Sequence, residues 1–193
     1  MSGIINTTTV ESTNLQVSNI KDSTGTNTAM TINSSGHVNL NQNLIEYWYF
    51  GGTDATVNSA TVLTNWDRDT RTGIVSRNTG ITDSSGVFTF PHNGLYKITV
   101  MLIGYASPAA RGYLGTRLEY STDSGSNYSI MTTQYANAYT ASAHFSVTAV
   151  LPLNITASTD RFRIKYQGQG SATIRGYGSS QDNSTRVLFE QIG

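Results

Sequence analysis

Of 193 residues only 24 are charged, 12 of each sign, while Ser, Thr, Asn and Gly fill 84 positions. Average chains carry about 25% charged residues, so this 12% excludes a long-helix or coiled-coil protein. The zero net charge leaves no basic excess to neutralise nucleic-acid phosphates, and the aromatic content argues against a solvating disordered tail. There is no Cys, which removes disulfides, thiolate zinc sites and Cys nucleophiles. No secretory signal is expected, since the first cation is Lys21 and no apolar run precedes it. The most apolar stretch, 100–106, is far short of the roughly 18–20 residues that span a bilayer. A soluble, neutral chain rich in Thr, Ser and Tyr, made in a cytoplasm, has the composition of pleated sheet joined by turns.

All 19 aromatic residues stand at or after Tyr47, and the 46 positions before it hold four charges, Glu11, Lys21, Asp22 and Glu46. That shift divides the chain into an N-terminal segment, 1–46, and a body, 47–193. Within the segment, the pairs Leu15/Val17, Met30/Ile32 and Val38/Leu40 alternate between turn clusters at 22–25 and 33–36, which predicts short β elements. So small a segment cannot hold a core unaided. Disorder, docking on the body and intertwining with its own copies are the outcomes open to it, and the regular β punctuation favours the last, a β-rich shaft ordered by its own copies or by a larger assembly.

The body reads as strand after strand: 46–50, 87–90, 94–105, 112–121, 128–135, 143–153, 161–166, 172–176 and 185–192, each closed by Gly, Asn, Asp, Ser or Pro. Many strands in about 150 residues without helical periodicity predict an antiparallel β-sandwich or jelly roll. In 161–166, Phe162, Ile164 and Tyr166 face the core and Arg161, Arg163 and Lys165 face water. The strand at 94–105 is different. Tyr96, Ile98, Val100 and Leu102 form one apolar face, and Met101, Ile103 and Tyr105 make the second half of the other face apolar too. In a two-layer sandwich, such a strand predicts a subunit interface.

Catalytic patterns are missing. His37, His92 and His144 have no metal-ligand spacing. There is neither a nucleophile elbow nor a phosphate loop, and the dinucleotide-like start at Gly168 and Gly170 lacks a third glycine and a helix. Asp67 and Asp69 are the nearest carboxylate pair, but Arg68 and Arg71 beside them favour solvated, ionised charge. The expectation is a protein that is not an enzyme, without metal or cofactor.

The stretch Ser84–Val100 resembles the core signature of the C1q/TNF-like family, a Phe, five residues, then Gly-x-Tyr-x-Phe. Gly86, Phe88, Gly94 and Tyr96 hold their places, and Ile98 takes the final aromatic position. Phe90 stands where vertebrate members usually carry Cys, and Ile81 where an aromatic is usual. Residues 160–164 and 183–192 look like the family's late strands. The resemblance implies a ten-stranded jelly roll packed as a homotrimer, in agreement with the face of Met101, Ile103 and Tyr105. The run Thr28–Leu40 is similar to shaft segments of bacteriophage fibres and virion surface proteins, marine phages among them, many of which end in C1q-like knobs.

Together these resemblances imply a trimeric virion surface protein assembled in host cytoplasm. Residues 1–46 would join it to other virion proteins, and the knob would bind a host-surface glycan or protein. The alternative is a capsid decoration trimer that stabilises the shell without a receptor. A glycan-degrading spike lacks convincing paired acids, and a cellular C1q-like lectin would need a signal. Loops carry function on rigid sandwiches, which makes Tyr105, Arg111 and Tyr113 in one loop, and Arg175 and Tyr177 in another, the candidate ligand contacts.

Overall fold

The computed structural model describes residues 19–21, 28–32, 38–40, 44–52, 54–71, 76, 80–106, 112–138, 140, 143–176 and 184–192. The chain forms two compact units, Met1–Gln42 and Asn43–Gly193. In the first, β1 (Asn19–Lys21), β2 (Thr28–Ile32) and β3 (Val38–Leu40) make a three-stranded antiparallel sheet in that order. The alternating residues expected to form strands meet in register, Met30 with Leu40 and Ile32 with Val38. The Leu15/Val17 pair lies outside the described residues.

Among the described residues the second unit holds twelve strands. They are β4 (Ile45–Phe50), β5 (Ala55–Val57), β6 (Trp66–Arg68), β7 (Thr82–Ser84), β8 (Val87–Thr89), β9 (Gly94–Ala106), β10 (Gly112–Ser121), β11 (Ser129–Ala138), β12 (His144–Ile155), β13 (Arg161–Gly168), β14 (Ala172–Ile174) and β15 (Arg186–Gln191). No helix occurs among the described residues. Strands β11-β10-β13-β8-β7 form a five-stranded sheet. A seven-stranded sheet runs β5-β14-β9-β15-β4-β6, with β12 paired to the other edge of β9. This is an antiparallel jelly-roll sandwich. It exceeds the ten strands that the resemblance implied because the short β14 and β5 continue the lanes of β15 and β4 alongside the far end of β9. Glu46, placed by composition in the N-terminal segment, lies within β4.

The core fills the space between the sheets because each long strand alternates. In β12 every second residue from Phe145 to Ile155 is buried, and in β13 Phe162, Ile164 and Tyr166 are buried as the alternation predicted. Phe88 sits at the centre, its ring 5.0 Å from Phe189, 5.6 Å from Trp48, 5.7 Å from Trp66 and 6.2 Å from Phe162. Offset and edge-on pairs at such distances add to the burial of the rings themselves.

The family-motif residues serve this core. Ser85 and Gly86 join β7 to β8 as a two-residue turn with φ of 53° and 82°, the left-handed pair that matches strand twist. A Cβ on Gly86 would stand 2.3 Å from the Leu63 carbonyl oxygen, so both conformation and space demand glycine. Gly94 opens β9 at φ 142°. Tyr96 is fully buried and its hydroxyl donates to the His92 carbonyl at 3.0 Å. Burial pushes that phenol up to about 12. Ile98 is likewise fully buried.

Candidate functional site: two outward sheet faces

The outward face of the seven-stranded sheet follows from its register. Tyr49, Arg186, Met101 and Thr148 stand side by side across β4, β15, β9 and β12, and Tyr47, Leu188, Thr99 and Val150 form the next row. Beyond Met101 on the same strand come Ile103 and Tyr105. Met101 is 41% exposed and Val150 53%, while Ile103, Tyr105, Tyr47, Tyr49 and Leu188 are half-buried. A depression of about 550 Å³ opens here, lined by Met101, Ile103, His144, Phe145, Ser146 and Arg175. The Tyr105 ring lies 5.8 Å from the His144 ring. A sheet face bathed in water is normally polar, yet this one carries a broad apolar strip.

Two of the candidate ligand residues border the apolar strip: Tyr105, near the end of β9, and Arg175, in the connection that follows β14. The Arg175 side chain pairs with Asp54 at 3.7 Å. Arg111 and Tyr177 lie outside the described residues. Tyr47, Tyr49 and Leu188 belong to this face although sequence reasoning did not select them. Their signal was the unbroken aromatic run at 47–50, which reads as core until one sees that only Trp48 and Phe50 point inward.

The five-stranded sheet turns a different face outward. Glu119 pairs directly with Arg163 across β10 and β13, and Arg117 pairs directly with Lys165 in the adjacent row. The Arg163 guanidinium reaches Glu119 Oε2 at 2.6 Å and stacks 3.5 Å above the Tyr128 ring. Arg117 and Lys165 approach the same carboxylate only at 3.6 and 3.5 Å. One residue pair further along, Tyr135 of β11 lies opposite Gly115, and its ring packs edge-on against Tyr113 at 4.7 Å. Tyr113 is 41% exposed and Tyr135 49%. Tyr113 stands in the strand expected at 112–121, and its ring joins this cationic face.

The Asp67/Asp69 pair separates. Asp67 is exposed, whereas Asp69 is buried and held by Arg71, whose hydrogen bonds keep its carboxyl below the usual range. Arg68 does not serve either aspartate. It turns to the wholly buried Glu46, which also accepts from Trp48 Nε1 and from the Ile81 amide, each at 3.0 Å. Glu46 thus ties β4 and β6 to the chain entering β7. Among the described residues no three His, Cys, Asp or Glu side chains gather as metal ligands.

No protein-family model and no curated protein matches the sequence. Solved structures do match the fold. The Eiger TNF of S. frugiperda aligns with a TM-score of 0.61 at 12% identity, covering 78% of this chain and 93% of that one. Murine APRIL aligns with a TM-score of 0.56 at 8% identity, covering 78% of this chain and all of that one. At such identities the likeness is one of fold: the body is a C1q/TNF-like jelly roll.

Proposed function

We propose that this protein is a homotrimeric, non-enzymatic surface protein of a bacteriophage particle, joined to the particle through residues 1–46 and presenting the jelly-roll body to the host surface. The observation that carries the trimer is the apolar strip on the outward face of the seven-stranded sheet, with Met101 and Ile103 at its centre. An apolar face of this breadth is stabilised by burial against another subunit. The likeness of Thr28–Leu40 to phage shaft segments supports the particle role. A non-catalytic role is supported by the setting of Asp69, whose carboxyl Arg71 holds below the usual range, so that Asp69 supplies no proton to a partner acid.

Sedimentation of the full chain tests the assembly, the expected species being a trimer, and a stable monomer would overturn it. Adsorption of the purified protein to host cells, with blocking of particle attachment, tests the outward role. A protein that instead protects shells against heat or low salt and never adsorbs would be the decoration trimer. Deleting residues 1–43 is expected to leave a folded body that no longer joins particles.

A further inference from the structure

The pairing of Arg117 with Lys165 has no counterpart in what holds the sandwich together. Residues directly opposite on neighbouring strands hold their Cβ atoms about 4.5–5.5 Å apart, and like charges there destabilise the sheet. Both side chains are also largely withdrawn from water, 23% and 14% exposed. The nearest carboxylate, Glu119, is engaged by Arg163 at 2.6 Å and cannot neutralise three cations. Arg117 Nε is buried without a hydrogen-bond partner, and so is Oε1 of Gln167, the next outward residue after Lys165. Arg117, Arg161, Arg163 and Lys165 place four of the chain's 12 cations on two neighbouring strands, in a protein whose net charge is zero.

Beside this charge lies an aromatic platform. Tyr135, opposite Gly115, stands diagonally about 7–8 Å from Arg117, and Tyr113 lies about 13 Å from Arg117 along β10. Two exposed rings packed edge-on, with cationic donors in excess beside them, suit a ligand that is anionic and built of sugar rings. We propose that the outward face of the five-stranded sheet binds acidic surface polysaccharide, a sugar carboxylate seating between Arg117 and Lys165 and a neighbouring sugar ring stacking on Tyr135, which Tyr113 braces edge-on. The inference rests on the reading that the body faces the host, and it moves the contact from the loops to a sheet face. The bound carboxylate accepts from the exposed ends of both cations and offsets their repulsion.

The test is calorimetric titration of the full chain with tetragalacturonate, with its methyl ester and with tetraglutamate. Tetragalacturonate is expected to bind, more weakly as salt rises, and neither the ester nor the peptide is expected to match it. The variant Arg117→Gln/Lys165→Gln should bind at least about tenfold more weakly while keeping the trimer and its melting temperature. Tyr135→Ala, at a surface position, should weaken the sugar and leave the peptide unchanged. Failure of tetragalacturonate to bind, equal binding of tetraglutamate, or binding unaffected by the double variant overturns the proposal. Host-cell adsorption by that double variant separates the two readings. Undiminished adsorption refutes this site and leaves the host-facing role standing. Sugar binding by a protein that adsorbs to no cell keeps the site and refutes that role.

Discussion

The two central strands β9 and β13 resemble each other on their inner faces and differ on their outer ones. Inside, Tyr96, Ile98, Val100 and Leu102 on β9 and Phe162, Ile164 and Tyr166 on β13 are all fully buried. Outside, β13 shows Arg161, Arg163 and Lys165, while β9 passes from Lys97 to Met101, Ile103 and Tyr105. The inner faces answer to a single demand, exclusion of water, and so converge. The outer faces answer to whatever covers each sheet, and they diverge: one is suited to another protein subunit, the other to water and anionic solutes.

The sharpest way to break this contrast is to put charge on the apolar face. Ile103→Asp should abolish the trimer, because an unpaired carboxylate in an apolar contact carries a desolvation cost of several kcal/mol. Sedimentation should then show monomer or aggregate, whereas the same exchange at exposed Ile130 should leave the oligomer intact. The buried Glu46 comes next. Glu46→Ala removes the carboxylate that pairs with Arg68 and accepts from Trp48 Nε1 and the Ile81 amide. With Arg68 itself 34% exposed, the expected loss is about 3 kcal/mol, seen as a fall of roughly 6–12 °C in Tm.

The third prediction uses pH. Asp83 pairs across the β7–β8 hairpin with buried Phe88, and burial pushes its carboxyl up to about 6 from 3.8. The folded state therefore holds a proton that the unfolded chain releases. Stability from this group falls as pH rises from about 4 to about 6 and stays lowered above that. Asp83→Asn should remove that slope, so denaturant titrations of variant and parent should agree near pH 3.5 and favour the variant at pH 7. The smallest effect lies on the charged face. Arg163→Gln removes the close Glu119 pair and the stack on Tyr128, costing about 1 kcal/mol. Arg117→Gln, which also relieves a like-charge pair, should change stability by less than about 0.5 kcal/mol. Equal losses would mean that Arg117 is an ordinary member of the salt-bridge cluster.

Local patterns that repeat at the strand period were legible in the amino-acid order alone. The alternation of β13, the doubly apolar second half of β9 and the lack of helical periodicity, matched among the described residues, all follow from residues within a few positions of one another, where steric and hydrophobic rules act directly. The short strands β5, β6 and β7 were not legible, because three residues such as Thr82–Ser84 carry no period and become strands only by borrowing a neighbour's hydrogen bonds. Register was hidden for the same reason. Only the folded sandwich sets Arg117 against Lys165, 48 positions apart, brings Arg68 to Glu46 instead of Asp67 or Asp69, and lays Tyr47, Tyr49 and Leu188 beside Met101. Alternation tells which face a side chain takes, while its neighbours on that face are chosen by strand pairing across the whole chain, and the character of both outward surfaces depends on those neighbours.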